Sequence, residues 1–439
     1  MGTKINRYTL SELSPEARRS LLVRAQGDFE SVRERTQEII DEVRARGDEA
    51  LIDYAEKFDG ARLTVEGLKA TEEEFAEAER LIEPSLRSAI EQAVENIRAH
   101  HEAQLPTMTW MKEHSPGVIS GERILPIASA ALYVPRGKGS FPSVMMMLAV
   151  PATLAGVPRV VACTPPGPDG SIDAATLVAA RLCGVRDIYK TGGAQAVAAF
   201  AFGTGAVERV EKIVGPGNQF VSAAKRLLYG QIDPGTPAGP SESVVMCDAQ
   251  ADPEIVAREW LVEAEHGPDS AAMLVTDSAE LADRVEKLVP GLLARLPEKR
   301  RSFCETVLSG FGGIVLTSGL DESVDFVNDY APEHLRVIVD RPFEVLNRLQ
   351  NAGEVLLGEY ASIPYGNFAI GVNAILPTGG SARSYSCVGV DDFLKRSSFA
   401  YVSAEGARKL GPIAVELARY EGFPSHAEAA QYTLDRAQD

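Results

Sequence analysis

Hydrophobic and polar positions follow three rhythms along the chain. From Glu30 to His101 apolar residues recur at helical spacing in a charged background, Leu81, Ile82, Ile90, Val94 and Ile97 among them, which predicts two or more amphipathic helices. From Ala128 to Gly230 short β-rich runs alternate with helical ones: ALYVP, MMMLAVPATLAG, RVVACT, DAATLVAARLCG, DIYKT, AQAVAAFAFG, EKIVG and FVSAAKRLL. That is a succession of βα units. A parallel return needs a crossover of a dozen or more residues, so this spacing predicts a doubly wound parallel sheet with a ligand at its carboxyl edge. After Ser241 the rhythm resumes with SVVMC, a helix begun by Asp252-Pro253 and running to Gly267-Pro268, AAMLVT, a helix over Ala279 to Ala294, GGIVLT, LRVIVD and EVLLGEY. Beyond Cys387 a mixed-face helix, Ala407 to Tyr420, and a short acidic tail predict an appendage that packs on a neighbouring domain or subunit.

The expected fold class is α/β: two Rossmann-like doubly wound domains with helical N-terminal and C-terminal appendages. The boundaries read from the pattern are an extension over 1–29, a first α/β domain from 30–127 plus 241–386, a Rossmann-like domain over 128–240, and an appendage over 387–439.

Charge and cysteine content narrow the partners. With 44 Lys and Arg against 62 Asp and Glu, the formal charge is -18, which repels phosphate backbones and anionic bilayers, so neither nucleic acid nor membrane is an expected partner. Cys163, Cys183, Cys247, Cys304 and Cys387 are scattered and form no CxxC pair, which argues against a disulfide framework or a thiolate metal cluster. The most apolar segment, Val144 to Val157, is too short to span a bilayer and contains Pro151, and the N-terminus lacks a secretory apolar stretch. The expected compartment is the cytoplasm.

Two strand-to-helix turns carry glycines, Gly192-Gly193 and Gly215-Pro216-Gly217-Asn218, and such turns let backbone N–H groups approach an anion. A dinucleotide phosphate and plain turn chemistry both fit. Among the histidines, His100 and His101 read as a solvated helix end, and His114 as solvent-facing. Glu263 and His266 are three apart, so on a helix they share a face and can offer oxygen and nitrogen to one ion; a charged last turn is the alternative. Glu333 and His334 precede an apolar strand, where they suit an acid–base pair or a simple polar turn. His426 has no partner close in sequence.

The segments ALYVPRGKGSFPSVMMMLAVPA, GGAQAVAAFAFGT, KIVGPGNQFVSAAKRL, AGPSES, AEHGPDS, YAPEHL and AILPTGGSAR occur in the order and spacing of the histidinol dehydrogenase family. The resemblance covers roughly residues 30 to 430. It implies a Zn²⁺-bound, NAD-dependent dehydrogenase that oxidises a primary alcohol through an aldehyde to a carboxylate. By motif it implies Tyr133, Gln195 and Asn218 as NAD contacts, and Ser241, His334 and Glu421 as substrate contacts. Glu333 and His334 match the catalytic pair, His334 taking the alcohol proton and Glu333 activating water at the aldehyde stage. His426 matches a zinc-ligand histidine that, with Glu421, reaches into the partner subunit's site. A homodimer follows, with the first α/β domain holding the metal and catalytic residues.

Five positions depart from the family pattern. Glu263 replaces the usual Gln and Asn367 the usual Asp, so the implied metal set becomes Glu263, His266, Asn367 and His426 at unchanged net charge. Ala374 replaces a pocket histidine. Arg136 and Lys138 add cations beside the NAD-side strand, either to receive an anionic group or as surface charge. Together these imply oxidation of a small polar alcohol other than histidinol, to a carbonyl and onward to a carboxylate if the alcohol is primary. Histidinol dehydrogenase proper and a catalytically inactive nucleotide-binding paralogue are the alternatives left open.

Overall fold

The computed structural model describes residues 4–24, 29–136 and 139–438. The strands in chain order are β1 (Arg7–Thr9), β2 (Thr109–Ser115), β3 (Val118–Pro126), β4 (Ser129–Tyr133), β5 (Arg159–Thr164), β6 (Asp187–Lys190), β7 (Lys212–Val214), β8 (Glu242–Cys247), β9 (Ala271–Thr276), β10 (Gly313–Leu316), β11 (His334–Ile338), β12 (Glu354–Leu357) and β13 (Leu394–Val402). The chain falls into two units, Met1–Gln104 with Ala128–Phe393, and Leu105–Ile127 with Leu394–Asp439.

The larger unit contains two parallel sheets, as an α/β fold requires. The first has the order β6-β5-β4-β7, and the second β1-β10-β9-β8-β11-β12. In each the chain winds outward from one strand and then returns to that strand's other side. The switch points therefore lie between β4 and β7 and between β8 and β11. All residues of β4, β7, β8, β9 and β11 are buried, which is why these strands read as continuous apolar runs rather than alternating ones. The acidic N-terminal helices Phe29–Arg46 and Pro84–Glu102 pack on the helices around the four-stranded sheet, burying the predicted stripe of Ile90, Val94 and Ile97.

Local signals set the helix starts. Asp252 accepts from the Glu254 N–H with Pro253 at the first helical position, and Asn218 Oδ1 accepts from the Phe220 and Val221 N–H groups. The helix after Asp252 stops at Val262, and Glu263–Glu265 tightens into a 3₁₀ turn, shorter than the pattern predicts.

One histidine reading needs correction. His100 is exposed, but His101 is completely buried, with Nδ1 on the Ile97 carbonyl and Nε2 facing the Asn373 amide. It is a core residue rather than part of a solvated helix end.

In the smaller unit β2 and β13 flank β3 in an antiparallel sheet, followed by helices Ala404–Tyr420 and Pro424–Arg436 packed on each other. Among the described residues no helix is long and apolar enough to cross a membrane.

Candidate active site

A cavity of about 2080 Å³ in the larger unit runs past the switch points of both sheets. It meets the four-stranded sheet at its carboxyl edge, where Tyr133 ends β4 and the two glycine turns follow β6 and β7. It meets the six-stranded sheet at the opposite, amino edge, where Ser241 precedes β8 and Glu333 precedes β11.

The carboxyl-edge end is built around the two glycine turns. The Gly193 N–H donates to the Tyr133 hydroxyl at 2.9 Å, and Gly193 adopts a φ of +63° that a side chain would oppose. A Cβ at Gly215 would stand 2.2 Å from the Tyr133 carbonyl, so only glycine permits that close crossing of strand and turn. Gln195 is buried with its Oε1 unpartnered, an acceptor ready for a donor from outside the chain. Asn218 lines the cavity while its Oδ1 caps the following helix. Beneath the turn, fully buried Lys225 donates to the Gly215 carbonyl at 2.7 Å, and burial pushes its ammonium down to about 8.

Ionisable side chains converge at the amino-edge end. The 3₁₀ turn brings Glu263 and His266 into line, with His266 Nε2 3.5 Å from Glu263 Oε2. The Asn367 amide donates to Glu263 Oε1 at 3.1 Å, and Ser241 Oγ lies 3.1 Å from His266 Nδ1. His334 Nε2 is 3.9 Å from Glu263 and 4.0 Å from Glu333, and His334 Nδ1 is 2.9 Å from Glu354. The other Glu333 oxygen accepts from the Glu242 backbone N–H at 2.7 Å.

Burial and neighbouring charge move these groups in different directions. Desolvation holds the Glu333 carboxyl well above its ordinary range, against the pull of His334. For Glu263 desolvation acts in the same sense, but the two imidazoles and the hydrogen bonds from Asn367 and Ser241 outweigh it, and the carboxyl ends below its ordinary value. For His334 burial disfavours the charged ring, yet Glu263, Glu354 and Glu333 together push it up to about 10.

Among the described residues no three His, Cys, Asp or Glu side chains form a metal-holding group, but Asn367 adds a third donor to Glu263 and His266. Its Oδ1 is buried without a partner. A carboxylate flanked by an imidazole and by an amide whose oxygen is unpartnered offers donor types that fit a borderline cation such as zinc.

Glu421 and His426 belong to the smaller unit, at the turn between its two helices. Both are exposed, and the His426 ring lies 5.2 Å from that of Phe423. Arg136 lines the carboxyl-edge end of the cavity, where it donates to the Ser171 carbonyl at 3.0 Å, so one of the two added cations is engaged with the protein itself. Lys138 lies outside the described residues.

The histidinol dehydrogenase family model matches residues 22–434. The chain belongs to the histidinol dehydrogenase family. It is 49% identical over 420 residues to histidinol dehydrogenase of Synechocystis sp., covering 96% of this chain and 97% of that one. It is 51% identical over 428 residues to a histidinol dehydrogenase homolog of Cereibacter sphaeroides, with 97% of each chain covered. The crystal structure of histidinol dehydrogenase from Elizabethkingia anophelis superposes with a TM-score of 0.94 at 33% identity, over 99% of both chains. Similar relatives thus include both histidinol dehydrogenases and proteins designated homologs.

Several residues that shape this family member's site are absent from the sequence reading. Arg24 pairs with Glu242 at 3.1 Å, lies over the Tyr330 ring at 3.8 Å and donates to the Tyr330 carbonyl. Fully buried Arg336 pairs with Glu259 at 3.3 Å and donates to the Gly358 and Glu359 carbonyls, while Glu259 also accepts from Ser362 and the Ile363 N–H. This pins the entry to the short helix Ile363–Phe368 that carries Asn367. No local motif announces these contacts, because each partner lies far away in the chain.

Proposed function

We propose that this family member is a zinc- and NAD-dependent dehydrogenase that oxidises a small polar alcohol other than histidinol, working as a homodimer. The observation that carries the reading is the continuous cavity, which joins the Tyr133–Gln195–Asn218 cradle to the Glu263–His266–Asn367 and Glu333–His334 cluster.

Glu263, His266 and Asn367 would hold the metal, with His426 of a second copy as the fourth ligand. Zinc bound there would act as a Lewis acid toward the alcohol oxygen, and NAD would accept the hydride. His334 presents Nε2 to the cavity and takes the hydroxyl proton from the state in which that nitrogen has given up its own. Glu333 is held by the Glu242 N–H and raised by burial, which makes it a stronger base than an exposed carboxylate. For a primary alcohol it activates the water that attacks the aldehyde; for a secondary alcohol this stage is absent. Ser241 and Glu421 would contact the substrate. The pocket wall at Ala374 offers only a methyl group, which supports a substrate that asks for no side-chain donor there. Exposed Ile413, Leu417, Tyr420 and Phe423 around Glu421 support burial of this face by a second copy.

The test is NADH formation by zinc-loaded protein with NAD, L-histidinol and a panel of polar alcohols. Turnover of a panel alcohol with little on histidinol is expected. A kcat/KM of ~10⁴ M⁻¹s⁻¹ or more on L-histidinol, with two NADH per alcohol, makes the protein a histidinol dehydrogenase proper. No turnover combined with no stoichiometric zinc would overturn the reading in favour of an inactive nucleotide-binding protein.

A further inference from the structure

We propose that Glu354 is a positioning residue that holds His334 in the tautomer and orientation needed of a base. This inference rests on the reading of His334 as the proton acceptor, and it adds a group that no family motif in the sequence marks.

β11 and β12 are parallel neighbours, and His334 and Glu354 are direct partners in their register. The backbone at this pair is fixed by the Glu354 N–H on the Glu333 carbonyl at 2.9 Å and the Gly353 N–H on the Pro332 carbonyl at 2.9 Å. Both side chains are buried, and Glu354 Oε2 lies 2.9 Å from His334 Nδ1. An ionised carboxylate accepts but cannot donate, so Nδ1 carries a hydrogen, and when the ring holds only one proton it is Nε2 that is left as acceptor. That nitrogen, Nε2, points toward Glu263 and Glu333 in the cavity. A half-turn of the ring about Cβ–Cγ would put the Cδ2–H where Nδ1 now stands and leave Glu354 as an unpaired buried charge, so the carboxylate opposes the flip.

The second Glu354 oxygen defines the other side of this arrangement. Oε1 is buried with no partner, and a Cβ on Gly366 would stand 2.6 Å from it. Glu354 therefore sits between the base and the backbone of the residue preceding Asn367. One carboxylate sets the orientation of His334 and bounds the turn that carries the amide donor.

The experiment uses the zinc-loaded full-length protein with NAD, labelled with ¹⁵N-histidine, and follows the proton on His334 Nδ1, assigned by its absence in His334→Asn. A hydrogen held by a buried carboxylate gives a far-downfield resonance protected from exchange. Wild type is expected to show it, Glu354→Gln to retain a weakened form through its amide carbonyl, and Glu354→Ser to lose it. With the best panel alcohol, kcat is expected to fall roughly 10-fold in Glu354→Gln and up to ~100-fold in Glu354→Ser, with KM and NAD affinity near wild type. Glu354→Gln keeps the test open if Glu354→Ser does not fold. A resonance and kcat unchanged in these variants, while His334→Asn is inactive, overturn the role of Glu354 and leave His334 as base. Activity that survives in His334→Asn overturns the reading of the base itself.

Discussion

Glu263 and Asn367 lie 104 positions apart in the chain and are joined by a 3.1 Å hydrogen bond from amide to carboxylate. The two departures from the family pattern are therefore partners, and the pair holds one negative charge whichever residue bears it. Glu263→Gln or Asn367→Asp alone changes that charge, and each is expected to weaken zinc binding 10-fold or more in a chelator competition. The double variant is expected to recover most of the loss. Additive losses would show that the two positions do not compensate.

Replacing the proposed base separates chemistry from binding. His334→Asn is expected to lower kcat by ~10² to 10⁴ while the NAD dissociation constant stays near wild type, since Tyr133, Gln195 and Asn218 lie at the other end of the cavity. Single-turnover NADH formation and fluorescence titration with NAD measure the two quantities.

Lys225 provides a pH-dependent stability signal. Its ammonium, down at about 8 through burial, releases its proton in the folded state before it does so in the unfolded chain near ~10.4. Between these values the unfolded state binds more protons, so stability contributed at this site rises with pH from about 8 to about 10. The gain is on the order of 3 kcal/mol. In Lys225→Met the rise is expected to be missing, which appears as a Tm difference, wild type minus variant, that increases with pH over this range.

The Arg336–Glu259 pair is predicted to be essential for the loop it ties down. Arg336→Met leaves Glu259 as an unpaired buried charge and is expected to cost ~3–5 kcal/mol. The accompanying loss of the Gly358 and Glu359 anchors is expected to weaken zinc binding through Asn367. Thermal unfolding and metal titration read the two effects, and a variant with wild-type Tm would contradict the first.

Legibility in the sequence divides along physical lines. Apolar strands such as RVVACT and helices begun by Asp252-Pro253 announce themselves because period and caps are local. Glu263 and His266 are three apart and share a turn, so their convergence follows from spacing. Glu354, Arg24 and Arg336 were not legible as site residues: their partners are set by strand register or by chain crossings between distant segments, which no window contains. The β2 strand escaped for another reason, as six of its seven residues are exposed and give no alternating apolar signal. His101 shows the converse, a polar residue whose covering neighbours come from elsewhere.

The reactive side chains enter at the amino ends of β8 and β11, with Glu354 opening β12 beside them. At the far edge of that sheet the connections 248–252, 277–278, 317–319 and 339–341 carry none of these groups. Lengthening those loops, or inserting a reporter peptide there, would leave the chemistry on strand starts locked by the hydrogen-bonded ladder. In most doubly wound enzymes the loops at strand carboxyl ends bear the catalytic groups; in this sheet these four connections are the ones most open to remodelling, while the loop after β12 stays tied down by Arg336 and Glu259.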